Sequence, residues 1–201
     1  MRLILKRLFD LLLSLLLIVL LSPLLLIIGA LIKVTSSGPM LFKQERVGRH
    51  EKVFKIYKFR SMIQNADKLG AGYYMDGKND PRITRVGNFL RKTSLDELPE
   101  VFNVLKGEMS FVGPRPTLKY QVDKYSDFQK RRLEYPPGIT GWAQINGRNE
   151  IPWSKRIELD VWYIDNYTLW LDIKILILTL PSVVFSKGIS HEQSEKDVDD
   201  L

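Results

Sequence analysis

Asp96 and Glu97 stand side by side in Ser94-Leu95-Asp96-Glu97-Leu98-Pro99-Glu100, a stretch whose residue types could do chemistry. Leu95, Leu98, Phe102 and Leu105 recur at helical spacing, so the acidic pair falls at a helix start. Two registers fit. Ser94-x-x-Glu97 has the form of a capping box. Alternatively, Asp96 is itself the cap and Pro99 lies in the first turn. In either register Asp96 adjoins free backbone N–H groups and the positive end of the helix dipole. Arg91 and Lys92 add cationic field. That setting favours an ionised carboxylate and a bound anion. A carboxylate that attacks phosphorus needs such help against repulsion from the phosphate, and a divalent cation usually supplies the rest. Acidic residues are also common in first helical turns, so the spacing alone does not separate a nucleophile from a cap.

Two loops offer partners. Gly107 is placed to end the helix. Beyond it, Gly113-Pro114-Arg115-Pro116 holds Arg115 in an extended, low-entropy segment, from which an arginine can grip a phosphate bidentately. A solvated arginine on a structural loop has the same sequence. The second loop runs from Pro136 to Asn149 and carries Gly138, Gly141 and Gly147, which allow close approach of backbone to a ligand. Trp142 could stack on a base there, and Gln144, Asn146 and Asn149 could hydrogen-bond a sugar or uracil. Neither G-x-G-x-x-G nor G-K-[ST] is present, so this is no dinucleotide fingerprint or P-loop.

The elements that must position these residues begin with an uncharged apolar run over residues 11–32, long enough for a hydrocarbon core of about 30 Å. It exceeds a signal-peptide core and lacks a small-x-small cleavage site. Ser22-Pro23 lies at its middle, where Pro23 should kink a helix and Ser22 could satisfy the carbonyl that Pro23 frees. Basic residues flank both ends: Arg2, Lys6 and Arg7 before, and Lys33, Lys43, Arg46, Arg49, Lys52, Lys55, Lys58 and Arg60 after. The positive-inside tendency puts both flanks in the cytoplasm. A single spanning helix cannot do this. We therefore expect a kinked, re-entrant helix over residues 1–35, with Asp10 paired to Lys6 or Arg7.

A catalytic domain over residues 36–189 follows, and an acidic mobile tail over 190–201. Leu41–Glu45 and Phe54–Phe59 read as a β-hairpin across Gly48. Residues 63–84 read as a loop with one short helix near 63–68. Residues 86–106 carry strong helical signals, and 120–134 read as one amphipathic helix with Val122, Tyr125, Phe128 and Leu133 on one side. Residues 169–185 suit either an interfacial helix or a core helix. The expected fold is α+β and mainly helical, with the site at the bilayer interface.

Composition sets outer bounds. The 201 residues carry 30 Lys and Arg against 23 acids, net +7, which favours anionic partners. Having no cysteine excludes disulfides and Cys-based metal sites, and the two histidines, His50 and His191, offer no close pair for zinc. A metal here would be a hard cation held by carboxylate and phosphate oxygens. A basic nucleic-acid binder or a non-catalytic membrane scaffold would share the charge balance. The basic residues are scattered, however, and carry no nucleic-acid motif.

Several runs occur in an order and spacing that resemble the bacterial sugar transferase family, the monotopic phosphoglycosyl transferases. They are Tyr57–Met62, Asp80–Thr84, Leu95–Pro99, Phe102–Gly107, Ser110–Pro116 and Pro137–Gln144. The likeness runs from about Lys6 to about Lys187, and its length resembles the minimal members that start glycoprotein or polysaccharide assembly. One departure is Glu108, where many relatives have Asp. The resemblance implies that Asp96 is a nucleophile on the β-phosphate of a UDP-sugar. UMP would leave, and undecaprenyl phosphate would then take the phosphosugar. Glu97 would assist, and Mg²⁺ would bridge Asp96, Glu97 and the phosphates. Arg91, Arg115, Lys58 and Arg148 would hold phosphate, with Gly138, Thr140, Trp142 and Gln144 on the nucleotide and sugar side. Ser22-Pro23 matches the break in the family's re-entrant helix. The implied setting is the cytoplasmic face of the bacterial inner membrane, among its lipids, with no nucleic acid and with homo-oligomerisation open. Neither the sugar nor the polyprenyl length is readable.

Overall fold

A computed structural model describes residues 2–69, 80–147 and 150–184. Arg148, the acidic tail and most of the glycine-bearing loop before Asp80 lie outside the described residues. The architecture is mainly helical with two small sheets.

α1 (Arg2–Thr35) remains helical through Pro23 for about 51 Å at 1.5 Å per residue. Ser22 Oγ donates to the carbonyl of Val19 at 2.9 Å, the acceptor that Pro23 leaves without its amide. One stripe faces the rest of the protein along the length of α1: Lys6, Asp10, Ser14, Ile28, Gly29 and Ile32 are buried. Leu12, Leu16, Val19, Leu20, Leu26 and Ile27 point outward, exposed. Lys6 and Arg7 are not the hydrogen-bond partners of Asp10. Asp10 accepts from Ser110 Oγ and Phe111 N, both at 3.1 Å. Lys6 instead pairs with Asp172 at 2.6 Å, and Arg7 donates to the carbonyls of Val104 and Leu105. Sequence proximity suggested local pairs, but tertiary packing supplied better-placed partners.

The expected hairpin is present. β1 (Leu41–Val47) and β2 (Val53–Phe59) pair antiparallel, with Gln44 opposite Ile56 and Arg46 opposite Phe54. Arg60 clamps the turn behind α1 by donating to the carbonyls of Ser36, Ser37 and Pro39. The short helix expected near 63–68 is one 3₁₀ turn, Ala66–Lys68.

The helical signals over 86–106 resolve into three segments. α2 (Arg85–Lys92) is capped by Thr84, a 3₁₀ segment covers Leu95–Glu100, and α3 (Val101–Lys106) ends at Gly107 with φ 83°. Ser94, at φ 55°, makes the break. A second, parallel pair joins β3 (Ser110–Val112) to β4 (Gly138–Thr140), two segments read from sequence as loops. A Cβ on Gly138 would meet Gly113 N at 2.1 Å, so only glycine permits these backbones to touch.

The amphipathic stretch 120–134 is not one helix. It divides into α4 (Lys119–Val122), α5 (Asp127–Lys130) and a 3₁₀ turn, because Ser126 and Gln129 form a capping box that starts α5 afresh. Val122, Tyr125 and Leu133 do enter a core, with Ile157 and Val161, while Phe128 is exposed. α6 (Trp142–Ile145), α7 (Trp153–Asp165) and α8 (Leu169–Val184) complete the chain. α8 buries Leu171, Asp172 and Ile175, and exposes Trp170, Ile177 and Leu180. It has a core face and an apolar outer face.

Candidate active site

The hairpin positions the cationic half of the site. Cross-strand partners share a face, so Arg46 lies with Phe54 and Gln44 with Ile56, and Lys58 falls two residues further along the same side. That side meets the 3₁₀ segment. The join is fixed by Asn103, wholly buried in α3, which accepts from Tyr57 N at 3.0 Å and donates to the carbonyl of Lys55 at 2.8 Å. The acidic turn and the strand bearing Lys58 are thereby held in register.

Neither sequence register for the acidic turn is observed. Ser94 makes no side-chain cap, and Glu97 does not reach back to the backbone. Its Oε1 instead takes Lys58 Nζ at 2.6 Å and Arg115 Nη2 at 2.7 Å. Burial opposes the charge on Glu97, yet Arg115 and Lys58 outweigh it and hold the carboxyl well below the usual range. Lys58 also reaches Glu100 Oε1 at 3.3 Å. Glu100 is pushed up to about 7, chiefly by burial.

Asp96 also departs from the sequence expectation. Burial, reinforced by the charge of Glu97, pushes it up to about 6 against the pull of Lys58, Arg91 and Arg115. It stays mostly ionised at neutral pH, but through its cationic neighbours rather than a long helix dipole. The structure thus gathers Asp96, Glu97, Lys58, Arg91 and Arg115. Arg91 also donates to Ser61 Oγ at 3.4 Å.

Arg115 is held from behind. Its carbonyl accepts from Arg132 Nη2 at 3.0 Å. Arg132 is buried, and pairs with Asp160 at 2.6 Å and donates to Tyr125 OH at 2.6 Å. Gly113, two residues before Arg115, packs directly on Gly138 and Gly141.

The second loop has structural partners of its own. Thr140 Oγ1 lies 2.8 Å from Thr179 Oγ1 on α8, and Trp142 stacks on Trp162 with centroids 4.9 Å apart. The amide nitrogen and oxygen of Gln144 are buried without partners among the described residues. Gly138 stands in β4. Gly138 and Thr140 adjoin Gly113, two residues before Arg115, whereas Trp142 packs on α7 instead.

The sequence reading missed Arg46, Glu100 and the Arg132–Asp160 pair. The first was accessible from the period-2 spacing of Gln44, Arg46 and Lys58 about the hairpin. The others carry no local signal, because they acquire meaning only through tertiary contacts.

Among the described residues no three His, Cys, Asp or Glu side chains gather as a metal cage. The donor chemistry nevertheless fits Mg²⁺, which is often held by one or two carboxylates with substrate phosphates completing its shell. Asp96 is the better placed of the two expected ligands, since Glu97 Oε1 is already taken by two cations.

A carboxylate pair ringed by cations, set on a mainly helical body beside a helix long and apolar enough to cross a membrane, suits the binding of an anionic group. The description "Bacterial sugar transferase" matches residues 1–186, and the chain belongs to that family. It is 48% identical over 188 residues to the uncharacterized sugar transferase EpsL of Bacillus subtilis, covering 94% of this chain and 91% of that one. It is 44% identical over 198 residues to the undecaprenyl-phosphate galactose phosphotransferase of Salmonella typhimurium, covering 92% of this chain and 41% of the relative. It is 48% identical over 185 residues to the UDP-glucose:undecaprenyl-phosphate glucose-1-phosphate transferase of Klebsiella pneumoniae, covering 87% and 39%. The chain therefore spans about two fifths of the latter two relatives.

Proposed function

We propose that this protein transfers a sugar 1-phosphate from a UDP-sugar to undecaprenyl phosphate and releases UMP. The names of the Salmonella and Klebsiella relatives support the general reaction. The observation that carries the mechanism is the split between two adjacent carboxylates: Glu97 is locked to Lys58 and Arg115, while Asp96 shows no ion pair among the described residues. In this reading Asp96 attacks the β-phosphorus, the bond from that phosphorus to the bridging oxygen breaks, and UMP departs with the electron pair. A phosphate oxygen of the polyprenyl acceptor then attacks the same phosphorus and releases the Asp96 carboxylate. The two substrates visit in turn, giving ping-pong kinetics.

Glu97 acts by fixing Lys58 and Arg115 against the phosphoryl oxygens, where charge accumulates. We assign Arg91 and Arg148 as further phosphate holders, and Gln144, Trp142, Thr140 and Gly138 to the nucleotide and sugar side. The amide of Gln144, buried without a partner among the described residues, supports a polar ligand there. Mg²⁺, when bound at Asp96 with help from Glu97, would offset phosphate charge.

The topology proposed is re-entrant, on the cytoplasmic face of the inner membrane. Two anchors support it. Near its start, α1 is tied through Arg7 to α3; just past its end, the chain is tied through Ser36, Ser37 and Pro39 to Arg60 beside β2. A spanning helix would separate these anchors by a bilayer. The outer apolar faces of α1 and α8 would then lie in lipid.

The test is UMP release by membrane-embedded protein across a panel of UDP-sugars, with undecaprenyl phosphate and Mg²⁺. Asp96→Asn should abolish release, and mass analysis of the wild type with donor alone should find a phosphosugar on Asp96. Release by folded Asp96→Asn at the wild-type rate would refute the mechanism.

A further inference from the structure

Arg46 is a cation that its own surroundings do not balance. Its Nη2 donates to the neutral amide of Gln44 at 2.6 Å, and its Nη1 lies 3.5 Å from the carbonyl of Pro116. Its Nε is buried and has no acceptor among the described residues. The carboxylates nearest to it electrostatically, Glu97 and Glu100, already hold Lys58 and Arg115. Arg115 itself adds like charge.

A part-buried guanidinium whose Nε is enclosed without an acceptor among the described residues, and which has a second guanidinium near it, calls for an anion to join them. The hairpin register turns Arg46 towards the same acidic turn as Lys58. Four cations, Arg46, Lys58, Arg91 and Arg115, thus converge on three carboxylates, Asp96, Glu97 and Glu100. Burial and Arg115 also lower the affinity of Arg46 for its proton, which agrees with an unmet need for negative charge.

We propose that Arg46 is a substrate-binding residue: with Arg115 it forms a two-guanidinium cradle that grips phosphate oxygens of a substrate. The proposal rests on the phosphosugar-transfer reading above and adds to it a ligand that no motif placed in the site. The donor's diphosphate and the acceptor's phosphate share the required chemistry, so the experiment has an arm for each.

The full-length protein in lipid nanodiscs would be titrated with UDP and, separately, with a short-chain prenyl phosphate. Arg46→Gln should raise the Kd of at least one probe about tenfold or more, as expected for loss of a charge-assisted bidentate contact. Arg46→Lys should recover only part of that affinity, because an ammonium lacks the planar fork. Weakened UDP binding assigns the cradle to the donor, and weakened prenyl phosphate binding to the acceptor. Should Arg46→Gln fail to fold, the wild type still decides. Labelled with ¹⁵N-arginine, its Arg46 Nε–H resonance should move when one probe saturates the site. Unchanged affinities in folded variants, or a stationary resonance with both saturated probes, would overturn the proposal. Absence of UMP release and of probe binding in the wild type would instead refute the function itself.

Discussion

Replacing Lys6 by Met would remove the cation from a pair whose side chains are 2% and 1% exposed. Asp172 would keep only Tyr163 OH, at 2.6 Å, as a direct donor. An ionised carboxylate left there costs several kcal/mol, and breaking such a pair typically costs 3–5 kcal/mol. Protonation sets a ceiling. Neutralising an aspartate whose ordinary value is 3.8 at pH 7 takes about 3.2 units at 1.36 kcal/mol each, or about 4 kcal/mol. The folded variant would then bind a proton that the unfolded chain does not. Its stability should fall as pH rises, by about 1.4 kcal/mol per unit between pH 5 and 7. Burial already holds Asp172 above its ordinary value with Lys6 in place, so denaturant unfolding in detergent, followed by tryptophan fluorescence, should show a loss of at most about 4 kcal/mol at pH 7 and a smaller one at pH 5. Adding Asp172→Asn, which keeps an acceptor for Tyr163, should recover more than half of the loss at pH 7. A loss under about 1 kcal/mol at pH 7, or one independent of pH, would show that Asp172 is hydrated and the reasoning wrong.

The remaining expectations concern activity and topology. Because Asp96 must be ionised to attack and is pushed up to about 6, kcat/KM for UMP release should fall roughly tenfold per unit below that pH; a flat profile from pH 7 to 5 would refute the assignment. Asp160→Asn should loosen Arg132, and through it the Arg115 carbonyl, raising KM for the UDP-sugar about tenfold while leaving the Asp96 adduct detectable. Gly138→Ala should cost more than about 2 kcal/mol, since Gly113 N stands where the methyl must go. The chain has no cysteine, so Arg2→Cys and Lys33→Cys provide unique labels at the two ends of α1. A membrane-impermeant thiol reagent should reach both from the same side of the bilayer, and labelling from opposite sides would exclude a re-entrant helix.

What the sequence disclosed divides by interaction range. The hairpin, the Gly107 helix end and the proline-freed carbonyl taken by Ser22 follow from turn chemistry within a few residues, and each is present. A new helical start beside Asp96 was legible in the stretch 86–106, but not the left-handed conformation of Ser94 that makes the break, which apolar periodicity does not register. The β3–β4 pair was hidden because its three-residue strands lie about 28 positions apart and contain no alternating pattern. In the site, Asp96, Glu97, Lys58, Arg91 and Arg115 could all be nominated, but not the sharing of Glu97 between Lys58 and Arg115. That division of labour is a tertiary fact.

Arg7 closes the far end of α3 by donating to the carbonyls of Val104 and Leu105, and Asp10 accepts the amide of Phe111. The apolar helix therefore supplies finishing bonds that its neighbours cannot make for themselves. Deleting residues 1–35 to obtain a water-soluble enzyme would uncap the helical run that opens at Leu95 and strip the β3 edge. Solubility would have to come from the outward leucines of α1, with its inward stripe left untouched.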